Sequence, residues 1–180
     1  MIILGIDPGS RFTGYGFIDT GARDESLVAQ GVIRLDDMDS HPQRLKQIYA
    51  ALTDLIEQHE PEALAIEMPV YGRNPQSMLK LGRAQAAAML AGLNHDISVA
   101  QYTPKEVKKS VTGNGNASKK QIRFMVKSIL SLGRDTSVAL DASDALAVAL
   151  CHSNRSAHGE TQQYTGWDSF VEANPDRVSD

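Results

Sequence analysis

The hydrophobic period of this chain changes at residue 41, and the change confines it to a mixed α/β architecture. Before it, residues 1–7, 12–20 and 27–35 are apolar, β-branched stretches that read as strands. Gly21-Ala22-Arg23-Asp24 fits a hairpin connection, so a three-stranded antiparallel meander is expected first. From 41 to 59, Leu45, Ile48, Tyr49, Leu52, Leu55 and Ile56 recur at helical spacing. Pro42 stands near the start of that helix, where its missing N–H is harmless, and Glu60-Pro61 stops it. Residues 63–67 then read as a short buried strand and 75–94 as a helix rich in alanine and glycine. A fifth strand follows over 97–102, then helices over 104–111, 118–132 and 141–154, with a turn at Gly113-Asn114-Gly115-Asn116. Ser118 with Gln121 three residues on is a capping-box signature. The order specifies a five-stranded mixed sheet flanked by helices.

At 180 residues the chain fits one domain, taken here as 1–154, followed by a polar and at least partly disordered tail, 155–180. A single cysteine, Cys151, rules out an internal disulfide framework and points to a reducing cytoplasm. The first residues show no targeting signal, and no run approaches the roughly 20 apolar residues of a membrane span. A soluble, cytoplasmic protein without membrane partners is expected. The net charge of −4 is unevenly spread. Residues 73–127 hold 10 Lys/Arg against only Asp96 and Glu106, whereas the flanking segments are acidic. Such an excess can neutralise several phosphates. Arg73, Lys80, Lys108, Lys119 and Lys120 are the candidate phosphate contacts, and a steep fall of affinity with salt should follow.

Four acids stand in segments that are otherwise apolar. Asp7 ends a strand and precedes Pro8-Gly9-Ser10, and Glu67 ends Ala63-Leu64-Ala65-Ile66. Asp141 and Asp144 lie three residues apart in an apolar helix and so share one face. Asp7 alone would suit a turn, and Asp141 alone a helix cap; Glu67 in a strand has no such simple role. Burying acids is costly unless they are paired. A hard divalent cation held by carboxylate oxygens accounts for the set as a whole.

These residues carry a resemblance. Ile3-Leu4-Gly5-Ile6-Asp7-Pro8-Gly9-Ser10 with Thr13-Gly14-Tyr15-Gly16, then Ala65-Ile66-Glu67, Leu79-Lys80-Leu81-Gly82-Arg83-Ala84 and Asp141-Ala142-Ser143-Asp144-Ala145-Leu146-Ala147 resemble the RuvC family. That family comprises bacterial Holliday-junction resolvases of the ribonuclease-H-like fold, and the likeness spans residues 1–153. It implies a homodimer that binds a four-way DNA junction and nicks two opposed strands, near a thymine-thymine step. It implies two Mg²⁺ or Mn²⁺ ions per active site at Asp7, Glu67, Asp141 and Asp144, and partnership with the RuvA–RuvB branch-migration complex. Lys108 and Lys119 match basic positions that face DNA in the family. One position departs: where these enzymes usually carry a phenylalanine three residues after the glutamate, this chain has Val70, and Tyr71 is the nearest aromatic for stacking on bases.

Two other readings compete. An actin-like phosphotransferase also opens with a strand, an acid and a glycine turn, but needs a second phosphate loop and about twice this length. A junction-binding protein without catalysis would leave the acidic quartet to repel phosphate.

Overall fold

The computed structural model describes residues 1–21, 24–38, 40–69, 74–133 and 136–157. Strands β1 (Ile2–Asp7), β2 (Phe12–Thr20), β3 (Glu25–Arg34), β4 (Ala63–Glu67) and β5 (Ser98–Tyr102) form one sheet in the order β3-β2-β1-β4-β5. β1, β2 and β3 are the expected antiparallel meander. β4 and β5 add in parallel to β1, each reached through a helix as parallel neighbours require. The helices are α1 (His41–His59), α2 (Pro75–Leu93), α3 (Pro104–Thr112), α4 (Lys119–Ile129) and α5 (Leu140–Ala157). Capping boxes start α1 (Ser40 with Gln43), α3 (Thr103 with Glu106) and α4 (Ser118 with Gln121).

Three boundaries differ from the sequence reading by two residues or more. β3 begins at Glu25, which pairs with Thr20 at the end of β2, and a register shift opposite Phe17 and Ile18 adds one residue to β3. α4 stops at Ile129: Ser131 turns left-handed at φ 50°, and Leu132 N–H returns to the Lys127 carbonyl at 2.8 Å. α5 runs three residues beyond Asn154, to Ala157. Its last turn is anchored by Arg155, which pairs with Glu106 at 2.6 Å and lies over the Tyr102 ring. Of the tail, residues 158–180 lie outside the described residues.

Strand alternation divides the core into two layers. Leu4, Ile6, Phe17, Leu64 and Ile66 meet α1 and α2 through Ile48, Leu52, Ala84 and Ala88. Ile3, Ile18, Ala63 and Ala65 face α3, α4 and α5. α5 is clamped between the sheet and α3/α4, so Ala142 and the whole run from Ala145 to Cys151 are at most 1% exposed.

Its close seat depends on glycine. A Cβ on Gly5 would stand 2.1 Å from the Ala145 carbonyl oxygen, and one on Gly14 would stand 2.0 Å from that of Asp141. Helix backbone therefore lies directly on strand backbone there, which draws the acids of α5 down to the end of β1.

Candidate active site

Asp7 and Glu67 are the last residues of neighbouring parallel strands, paired one residue earlier at Ile6 and Ile66. Asp141 and Asp144 lie one turn apart at the start of α5. The close seating of α5 on Gly14 brings one oxygen each of Asp7, Asp141 and Asp144 within 4.8 Å of one another. The turn after Asp7 is held by buried Thr13, whose hydroxyl donates to the Gly9 carbonyl at 3.1 Å and accepts from the Gly9 N–H at 3.3 Å.

Glu67 stands outside that trio but shares its cleft. A pocket of about 220 Å³ is lined by Asp7, Glu67 and Asp144 with Lys108 and Lys119, and walled by Pro104, Val107, Ile122 and Ala147. The Lys119 ammonium meets Asp144 Oδ2 at 2.5 Å. That hydrogen bond is the main reason the Lys119 pKa rises.

The two strand-end acids are strongly perturbed. Burial, then the charges of Asp144 and Asp141, lift Asp7 to about 7 against the partial opposition of Lys119. Burial, then Asp7 and Asp144, lift Glu67 to about 7, with Lys119 and Lys108 opposing. Among the described residues, four carboxylates face only Lys108 and Lys119, so once ionised they carry more negative charge than those lysines neutralise. The donors are hard carboxylate oxygens, and a divalent cation of the magnesium or manganese kind fits both the charge and the donor type.

The structure distributes the basic segment over both sides of the sheet. Lys108 on α3 and Lys119 on α4 reach the acid cleft. Lys120 is exposed on α4 and lines a separate groove with Thr112, Gln121, Phe124 and Met125. Lys80 lies on α2, on the other side, close enough to His41 that it joins Arg83 and Arg44 in reinforcing the depression of the His41 pKa by burial. Tyr71 and Arg73, with Val70, lie outside the described residues.

The sequence reading did not single out Val107 and Ile122 as the apolar wall of the cleft. It also missed Gly5 and Gly14 as the contacts that position the acids. Glycine inside a strand was the available signal.

Comparison with known proteins agrees with this geometry. The family model described as "Crossover junction endodeoxyribonuclease RuvC" matches residues 3–152. A protein of that name from Salinibacter ruber is 69% identical over 180 residues, covering all of both chains. One from Christiangramia forsetii is 44% identical and covers 98% of this chain and 92% of its own. Among solved structures, Thermus thermophilus RuvC in complex with Holliday junction substrate matches at a TM-score of 0.81 and 30% identity, over 88% of this chain and 96% of that one. Neither the phosphotransferase nor the non-catalytic reading survives a match of this extent. The chain belongs to the RuvC family of crossover junction endodeoxyribonucleases, metal-dependent enzymes of the ribonuclease-H-like fold.

Proposed function

We propose that this protein resolves four-way DNA junctions by nicking two opposed strands, as a homodimer with one acid cleft per protomer. The observation that carries this reading is the convergence of Asp7, Glu67, Asp144 and two lysines on one cleft, with Asp141 beside it.

Asp7, Glu67, Asp141 and Asp144 would hold Mg²⁺ or Mn²⁺, two ions per site, which polarise a phosphoryl oxygen, lower the pKa of an attacking water and stabilise the departing oxygen. The chain's own residues do the rest. β1 and β4 end side by side and present Asp7 and Glu67 from rigid strands, while α5 fixes Asp141 and Asp144 on a single helical face. Lys108 and Lys119 bring positive charge to the scissile phosphate, and Lys119 exchanges Asp144 for it as DNA enters. Pro104, Val107 and Ile122 exclude water from one side of the cleft, which strengthens each of these interactions. Cleavage on this scheme leaves a 3′-hydroxyl and a 5′-phosphate.

The outer face of α2 supports the dimer. Leu79 (61% exposed), Leu90 and Leu93 project from it. A shallow apolar groove of about 710 Å³ runs along Pro69, Pro75, Leu79, Gly82 and Ala86. Two copies of that face would cover each other about a twofold axis. Arg73, Lys80, Lys120 and Tyr71 are assigned to the DNA arms and the crossover. RuvA–RuvB is the partner machinery and the cytoplasm the compartment. Among the described residues no helix is long and apolar enough to cross a membrane.

The test is cleavage of a synthetic four-way junction beside a linear duplex of the same sequence, with Mg²⁺, with Mn²⁺ and with chelator. Paired nicks in opposed strands of the junction alone, abolished by chelator, are expected. Equal cutting of the duplex would remove the junction specificity, and no cutting under any condition would remove the enzyme.

A further inference from the structure

Phe124 is the most exposed large apolar side chain among the described residues, at 71%, and it stands in the most basic part of the chain. Residues 104–129 contain seven Lys/Arg and a single acid, Glu106, which is bound to Arg155. On α4, Ile122 and Val126 turn inward, which places Phe124 on the opposite, solvent side. Lys120 lies one turn before it and Lys127 one turn after, so both flank the ring, while Arg123 lies one turn beyond Lys119. Phe124 also closes a shallow groove of about 390 Å³ with Thr112, Lys120, Gln121 and Met125. The helix that delivers Lys119 to the acid cleft therefore continues outward as a cationic edge bearing one open aromatic face.

Phosphates account for the lysines but not for the ring. An aromatic face among cations suits a ligand that carries negative charge and flat π surface together, which is a nucleotide strand. Stacked duplex covers its base faces, so the base in question must be unpaired, as bases at an open crossover are. Five residues of helix separate Phe124 from Lys119, about 7.5 Å of rise and about 140° of rotation, so the ring stands outside the cleft but within a few nucleotides of it.

We propose that Phe124 is a stacking platform for an unpaired base of the strand being cut, within a few nucleotides of the scissile phosphate, with Lys120, Arg123 and Lys127 on the adjoining phosphates. The assignment rests on the resolvase reading above. It adds a specificity residue: a junction whose strands are open near the crossover gains this contact, and a linear duplex does not.

The experiment places 2-aminopurine in turn at the three nucleotides on each side of the cut in a four-way junction. The protein carries Asp7→Asn, so that the strand stays intact, with or without a second change at Phe124. A change of emission at one of these positions is expected on binding, retained by Phe124→Tyr and lost by Phe124→Leu and Phe124→Ala. Junction affinity of Phe124→Ala should fall roughly 5- to 150-fold, the range for losing one stacked base, while duplex affinity stays level. The ring is solvent-facing, so unfolding midpoints should match within error and exclude misfolding. Emission unaffected by Phe124→Ala overturns the proposal, as does an equal loss of junction and duplex binding. Unchanged DNA behaviour with lost binding to a protein of the branch-migration machinery would make the ring a protein dock and likewise overturn it. If the chain with Phe124 intact shows no preference for the junction, the resolvase reading fails instead, so the two failures are separable.

Discussion

On the α5 side of the sheet, β1, β2 and β4 present Gly5, Gly14, Gly16, Ala63 and Ala65; on the other side the same strands present Leu4, Ile6, Phe17, Leu64 and Ile66. Small residues let α5 settle on the strand backbones, and it is buried along nearly its whole length. Large residues hold α1 and α2 off, and α2 leaves Leu79, Leu90 and Leu93 to solvent. The first arrangement fixes side chains closely enough for carboxylates from three elements to share a site. The second leaves an apolar face that suits a second copy of the chain. On the proposed function one face of the sheet would be a working side that carries the chemistry and the other an associating side, and residue size on the strands would set which is which.

The largest effect should come from the working side. Asp7→Asn keeps the shape of the site but removes a charge that bound cations would need. Junction cleavage should fall on the order of a thousandfold or more, the scale for deleting one electrostatic group from a hydrolytic centre, while gel-shift affinity is kept. A variant cutting at the normal rate would end the assignment. The matching change on the associating side is Leu79→Glu. It should weaken dimerisation roughly 100-fold or more, because each interface would bury two unpaired carboxylates. Sedimentation measures this, and an undisturbed dimer would place the association elsewhere.

A smaller effect tests the seating of α5 itself. Gly5→Ala forces a methyl group to within 2.1 Å of the Ala145 carbonyl oxygen unless the helix lifts. Urea unfolding should show a loss of about 1–3 kcal/mol, with weaker Mn²⁺ binding because Asp144 moves away from Asp7. Unchanged stability would mean that α5 does not lie where we place it.

Protons provide a subtler probe of the same cleft. In the unfolded chain Asp7 and Glu67 lose theirs near 3.8 and 4.5, whereas in the folded, metal-free protein they keep them to about 7. The folded state binds more protons across that window. The associated stability is therefore complete below about pH 4 and is lost as the pH rises through about 7. The thermal midpoint without metal should fall over this range, and less steeply in Asp7→Asn. Saturating Mn²⁺ should raise it more at pH 8 than at pH 5, since binding competes with protons. A wild-type profile parallel to that of Asp7→Asn would contradict the burial of the pair.

The smallest change expected is a gain. A Cβ on Gly82, in the middle of α2, meets nothing within 4 Å. Measured with Leu79→Glu so that dimerisation does not intervene, Gly82→Ala should add about 0.5–1 kcal/mol through helix propensity alone. The opposite signs expected for Gly5→Ala and Gly82→Ala sharpen the contrast between the two sides.

Much of this was legible beforehand because it is local. The period change at residue 41, the capping boxes and the acids that end apolar runs each depend on a few neighbouring residues, and the element order followed from them. The ends of α4 and α5 did not, because a left-handed Ser131 and an Arg155 gripping Glu106 are decided by partners beyond the local pattern. Nor did the division of the basic segment, whose Lys80 and Lys119 fall on opposite sides of the sheet.

By itself the sequence determined the strands and the helices and singled out the four acids as candidates, since periodicity and residue type act along the chain. Only the tertiary structure decided that Asp7, Asp141 and Asp144 meet within 4.8 Å, that Lys119 stands against Asp144, and that Glu67 shares the cleft from one step outside the trio. Those distances depend on how closely α5 can approach β1 and β2. That approach is set by the missing side chains at Gly5 and Gly14, acting on a helix more than a hundred residues away along the chain.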